Sequence, residues 1–170
     1  APRRAGAFLM IIDAFQPRGV AQLAVDSIFM MPHLGVLSTI DEAAAAQVFE
    51  RDCIVHLGAA VAPFGKMPRT GAALEVEAKL PGGSQTLSLS AGDFVRVDLA
   101  AGQKASLQLS PARGVDVGAG PGGSRTATVT GGEAGIVFDC RGRPFELDAG
   151  DAARPERIVR RLDELGLPKA

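Results

Sequence analysis

From Ile54 to Asp139 the chain repeats one short phrase, a run of four to eight residues rich in Val, Leu, Ile and Thr closed by Gly or Pro. The runs are Ile54–Leu57, Ala73–Leu80, Thr86–Ser90, Phe94–Leu99, Ala105–Leu109, Thr126–Thr130 and Gly135–Asp139. Several alternate apolar with polar side chains, as in Leu74-Glu75-Val76-Glu77 and Val95-Arg96-Val97-Asp98-Leu99. That is the period of a strand with one face in a core and the other in water. Turn residues stand between the runs: Pro63, Gly65, Pro81-Gly82-Gly83, Gly92-Asp93, Gly102, Pro111, Gly114 and Gly131-Gly132. A spacing of roughly 8 to 12 residues per strand is the pattern of an antiparallel sandwich or barrel. The expectation for residues 54–150 is a compact antiparallel β-barrel- or sandwich-like module of six or seven strands.

The flanks follow a different period. Phe8, Leu9, Ile12 and Phe15 fall at helical spacing, and Pro17-Arg18-Gly19 stops them. Leu23 and Val25 alternate with Gln22 and Asp26 like a short strand, after which Ile28-Phe29-Met30-Met31 reads either way and Pro32 and Gly35 end the run. Thr39 and Glu42 have capping-box spacing before the helix-forming sequence Ala43–Phe49. In the tail, Ile158, Val159, Leu162 and Leu165 form one helical stripe, with Gly166 as C-cap and Pro168 as stop. The expected organisation is a helical segment over 1–53, the β-rich module over 54–150 and a helix over 151–170: an α+β chain, mainly β.

A chain of 170 residues suits one domain and buries about 70% of its unfolded surface without needing disulfides. With 46% hydrophobic and 22% charged residues it is not the composition of a disordered chain. The net charge of −1 gives no reason to expect nucleic acid or a membrane surface as partner. Its longest apolar stretch, Phe8–Ile12, is far short of the roughly 20 residues that span a bilayer. Cys53 and Cys140 stand far apart without framework spacing, which reads first as two reduced, buried thiols of a cytoplasmic protein, with a disulfide between them as the alternative. Ala1-Pro2-Arg3-Arg4 precedes an apolar run, but Asp13 and Pro17 break any signal-peptide pattern. The missing initiator Met points to a piece of a longer chain.

Two loops carry the chemistry. In Asp116-Val117-Gly118-Ala119-Gly120-Pro121-Gly122-Gly123, alternate glycines let backbone N–H groups turn inward as an anion nest, with Arg113 and Arg125 nearby. A phosphate loop also needs a helix directly after it, and Ser124–Thr130 reads as strand. The loop therefore reads either as a flexible contact to a partner or anion, or as a wide interstrand connection. In Asp139-Cys140-Arg141-Gly142-Arg143-Pro144, two guanidiniums beside one carboxylate either clamp an anion or brace the turn internally. His33 and His56 have no metal-ligand spacing, and His56 reads as half-buried in its strand. No catalytic residue and no metal site is expected.

These loops also carry a family resemblance. The strings Gly114-Val115-Asp116-Val117-Gly118-Ala119-Gly120-Pro121-Gly122 and Gly131-Gly132-Glu133-Ala134-Gly135-Ile136-Val137-Phe138-Asp139-Cys140-Arg141-Gly142-Arg143-Pro144 resemble the C-terminal part of the glutamate mutase (methylaspartate mutase) accessory protein family MutL/GlmL. Asp13-Ala14-Phe15-Gln16-Pro17-Arg18-Gly19-Val20 looks like that family's D-A-L-Q-P-x-G-V segment, and Leu34-Gly35-Val36-Leu37 and Asp52-Cys53-Ile54-Val55-His56-Leu57-Gly58 also fit. The resemblance implies an accessory protein related to the actin/Hsp70/hexokinase ATPases that maintains or reactivates an adenosylcobalamin-dependent mutase. The family's Asp-x-Gly-x-Thr phosphate loop is not matched, because Asp116-Val117-Gly118 is followed by Ala119-Gly120. ATP and magnesium would then bind only with N-terminal lobes outside this chain, and no Asp-x-His-x-x-Gly cobalamin motif is present. The partners implied are the mutase or the protein's own ATPase lobes. Two other readings stand beside this one: a small β-barrel that binds an anionic metabolite through the glycine loop and the Arg141/Arg143 pair, and a purely structural scaffold.

Overall fold

A computed structural model describes residues 2–145 and, in the tail, Glu156, Val159, Arg160 and Asp163, all four helical. The rest of the expected tail helix, including Ile158, Leu162 and Leu165, lies outside the described residues. In chain order the elements are α1 (Pro2–Phe15), β1 (Gly19–Asp26), α2 (Met31–Ser38), α3 (Glu42–Val48), which runs on as a π-helical turn Phe49–Cys53, and β2 (Ile54–Ala62). Then come β3 (Phe64–Gly65), β4 (Ala72–Leu80), β5 (Gly83–Ser90), β6 (Phe94–Val97), β7 (Lys104–Pro111), β8 (Val115–Asp116), β9 (Arg125–Thr130) and β10 (Ile136–Asp139). The chain is α+β and mainly β, and it divides into two compact units, Ala1–Leu23 with Leu57–Ala170, and Ala24–His56.

The larger unit is built on two four-stranded sheets, ordered β1-β2-β10-β6 and β5-β4-β7-β9. Every seven-run expectation forms a strand. Alternation then sends one set of side chains inward: Ala59 and Val61 of β2, Ile136 and Phe138 of β10, and Val97 of β6 meet Leu74, Val76 and Ala78 of β4, Leu107 and Leu109 of β7, and Val129 of β9 in one buried cluster. Burying each Val, Leu, Ile or Phe side chain of this cluster stabilises by about 1.5–3 kcal/mol, which makes it the main source of cohesion. The sheets face each other as a sandwich and do not close into a barrel. Within 54–150 two strands exceed the expected number, the two-residue pair β3–β8, while β1 falls where Leu23 and Val25 alternate with polar residues like a short strand. The first sheet is also mixed rather than antiparallel, since β10 runs parallel to β2 with Ile136 beside Ala59.

That parallel pair is packed unusually close. Gly58 holds φ +129, and a Cβ there would run into the Gly135 carbonyl oxygen, while Ala59 N–H donates to that same oxygen at 2.9 Å. Strand β2 is buried on both faces from Leu57 to Ala62, as a strand in a covered parallel pair must be. Helix α1 buries Phe8, Leu9 and Ile12 of the stripe that the spacing predicts, but its fourth member, Phe15 in the last turn, is 79% exposed. At the sandwich edge, the Gln22 amide on β1 clasps the backbone of Thr130 on β9, donating to its oxygen at 2.7 Å and accepting from its nitrogen at 3.1 Å. This ties together two edge strands that would otherwise present unpaired backbone.

The smaller unit, Ala24–His56, is mostly helical. Pro32, expected to end the preceding run, instead sits in the first turn of α2, where a missing N–H costs nothing. The cap of α3 is Asp41, not Thr39: Asp41 Oδ1 accepts from Ala44 N at 2.9 Å, while Thr39 closes α2 and donates to the Val36 oxygen. His56 is exposed rather than half-buried, and His33 is exposed as well. Cys53 and Cys140 are both buried free thiols. Among the described residues no helix is long and apolar enough to cross a membrane.

Candidate functional site

Strand β10 alternates Ile136 and Phe138 into the core, so Val137 and Asp139 point to the opposite face, and Asp139 is fully buried there. A carboxylate in that position must be neutralised. Arg141 supplies the main partner: its Nε donates to Asp139 Oδ1 at 2.7 Å and its Nη2 to Oδ2 at 2.6 Å, a two-pronged fork. Arg143 Nη2 donates to Oδ2 as well, at 2.6 Å, and its Nη1 to the Gly142 oxygen at 2.7 Å. Arg143 Nε is buried with no acceptor among the described residues. From α1, Asp13 Oδ1 accepts from Arg141 Nη2 at 2.8 Å, so two aspartates and two arginines balance in charge.

Aromatic rings sandwich the same cations. The Arg141 guanidinium lies 4.3 Å from the Phe145 ring centre and 5.3 Å from that of Phe94, and Arg143 lies 4.8 Å from Phe145. Gln16, just past α1, fixes Phe145 by donating to its oxygen at 2.8 Å and accepting from its nitrogen at 3.0 Å. The end of α1 is thereby fastened to the turn after β10.

Burial works against the Asp139 charge, but the Arg141 and Arg143 hydrogen bonds and charges outweigh it and hold this carboxyl below the usual carboxylate range. For Arg141 burial is likewise opposed, and overcome, by Asp139 and Asp13, so its affinity for the proton rises. Burial pushes the neighbouring Cys140 thiol up to about 12, helped by the Asp139 and Asp93 charges. Asp139 is therefore no base and Cys140 no thiolate nucleophile at neutral pH. The guanidinium fork that an incoming anion would need is already held by Asp139.

The glycine loop forms the expected nest and fills it from within. Asp116 Oδ1 accepts from the backbone N–H groups of Gly118, Ala119 and Gly120 at 2.6, 3.1 and 3.1 Å. Gly118 holds φ +95, a conformation open to glycine but strained for other residues. Arg125 Nη1 donates to the Val117 oxygen at 3.1 Å, and Gly122 N–H to the Val115 oxygen at 2.7 Å. Of the residues singled out in the sequence, Asp116, Gly118, Gly120, Gly122 and Arg125 thus meet in one closed loop, and Asp139, Arg141 and Arg143 in one buried brace.

Arg113 belongs to neither. With Lys66, Met67, Pro68, Arg69 and Gly114 it lines an open cleft of about 680 Å³ beside the β3–β8 pair. Both loops back onto the walls of this cleft: a Cβ on Gly142 would lie 3.4 Å from Met67 Cγ, and one on Gly122 would lie 3.7 Å from Arg113 Cα. Sequence reasoning missed Lys66 and Arg69, whose only signal is two cations flanking Met67-Pro68 between turn residues. It also assigned no role to Asp13 and Gln16, whose partners lie more than a hundred residues away, beyond any local spacing rule. No protein-family model, curated protein or solved structure matches this chain, so the functional reading rests on its own residues and on the resemblance of its loops.

Proposed function

We propose that the chain is a non-catalytic, sandwich-based module of an ATPase-like accessory protein for an adenosylcobalamin-dependent glutamate mutase, and that it meets the mutase through the helical unit Ala24–His56. The family assignment is supported by the resemblance of the Gly114–Gly122 and Gly131–Pro144 segments and of the Asp13–Val20 segment. The contact assignment rests on one observation, an exposed apolar face in the helical unit. Phe29 is 84% exposed and Ile40 82%, and Val36, Met31 and Ile28 are exposed beside them in sequence. Phe29 also holds φ +55, a left-handed conformation that is costly for a bulky side chain. Asp26 stabilises that turn by accepting from the Ile28 and Phe29 N–H groups at 3.1 and 3.0 Å.

Between α2 and α3 runs a groove of about 280 Å³ walled by Met31, Leu34, Ala45 and Phe49, wide enough for one or two side chains of a partner. The unit carries five carboxylates, Asp26, Asp41, Glu42, Glu50 and Asp52, against a single arginine, Arg51. Its complement is an apolar patch rimmed by Lys and Arg on the mutase surface. Central aromatic anchors dominate such contacts. In a binding titration against the mutase, replacing Phe29→Asp together with Ile40→Asp is expected to weaken binding by about a hundredfold and to leave the melting temperature unchanged. Equal binding by both proteins, or no mutase binding by a parent protein that contains this chain, overturns the proposal. Loss of binding to the parent's ATPase lobes alone overturns the mutase assignment.

A further inference from the structure

We infer that the cleft lined by Lys66, Arg69 and Arg113 is a binding site for a small organic oxyanion, a molecule with an apolar body and a phosphate or paired-carboxylate head. Three cationic side chains from two loops border one cleft, and among the described residues no carboxylate lines it. None of the three has an ion-pair partner among the described residues. The carboxylate next to them in sequence, Asp116, is spent on the Gly118–Gly120 N–H groups. Like charges gathered without compensation repel one another, and an anion in the cleft removes that repulsion.

The cleft is also built, not incidental. Lys66 N–H donates to the Gly114 oxygen at 2.9 Å, which extends the β3–β8 pairing of Gly65 with Val115 and fixes the two loops side by side. Gly142 and Gly122 leave room for Met67 and for the Arg113 backbone, so the brace and the glycine loop each support one wall. Two guanidinium forks suit the planar or tetrahedral oxygens of a carboxylate or phosphate, and Lys66 adds a mobile point charge. Met67 and Pro68 provide an apolar wall for the organic part. The volume lies within the range of small-molecule pockets.

The test is calorimetric titration of the whole chain with three probes: phenyl phosphate, inorganic phosphate and succinate. Saturable binding of phenyl phosphate, tighter than that of inorganic phosphate, is expected. Arg69→Ala and Arg113→Ala should each weaken it about tenfold with an unchanged melting temperature, because both side chains are exposed. Arg51→Ala, in the helical unit, should leave it unaltered. Succinate binding in preference to phenyl phosphate would assign the head group as a carboxylate pair and support the site. Absence of saturable binding by any probe, or an equal loss in Arg51→Ala, overturns it. Neither result bears on mutase binding, which uses other residues.

Discussion

At Asp139 burial and charge compete directly, and the two arginines decide the outcome. A buried ion group of this kind adds little over a well-packed apolar one, but removing one member strands the others. Asp139→Asn should therefore destabilise by about 3–5 kcal/mol, read from urea unfolding at neutral pH. The pH dependence follows from the lowered native pKa. Stability from this group is complete above about pH 4, the ordinary Asp value, and is lost as pH falls through the native value below it. The urea midpoint of the native protein should drop across that acid range, and the drop should be shallower in Asp139→Asn. An equally steep acid limb in both proteins would show that the brace contributes nothing. Asp139, Arg141 and Arg143 stood out in the sequence because they share one turn. The sequence left open whether their charges face a ligand or each other, because Asp13, Gln16 and Phe94, which help enclose them, come from distant elements.

Among the elements, the seven apolar runs were legible because each alternates with water on one side or is bounded by Gly and Pro. What local pattern does not encode is which strands become neighbours. The parallel β2–β10 pair brings together segments some eighty residues apart, and its signature is a single glycine, Gly58, whose local sequence gives it no special role. Gly58→Ala combines left-sided φ strain with a collision against backbone that has no freedom to yield. It should cost about 2 kcal/mol or more by chemical denaturation, whereas Gly82→Ala, which faces open space at an ordinary φ, should be near neutral. Equal effects at the two positions would contradict the close approach of β2 and β10. Helix α2 escaped the sequence reading for a related reason: Pro32 and Gly35 are breakers in the interior of a helix, but at its first turn and on its exposed side they are tolerated.

On the scale of the whole molecule, the two units divide the labour. The sandwich unit uses the polar residues of its motif loops on itself, Asp116 to cap a turn and Asp139 to fasten α1 to β10. The helical unit leaves five large apolar side chains in water, Ile28, Phe29, Met31, Val36 and Ile40, where helix α1 of the larger unit does so at Met10 and Phe15, and such clustering marks interaction surfaces. The sequence hinted at this in Ile28–Met31, which reads equally as helix or strand, but exposure depends on tertiary packing and is not fixed by pattern. Hydrogen–deuterium exchange of the chain with and without the mutase tests the division most directly. Slowed exchange confined to residues 27–49, with 116–123 and 139–145 unchanged, is the predicted result. Protection at those two loops with none in the helical unit would contradict it, and would make the loops the contact surface in place of the helices.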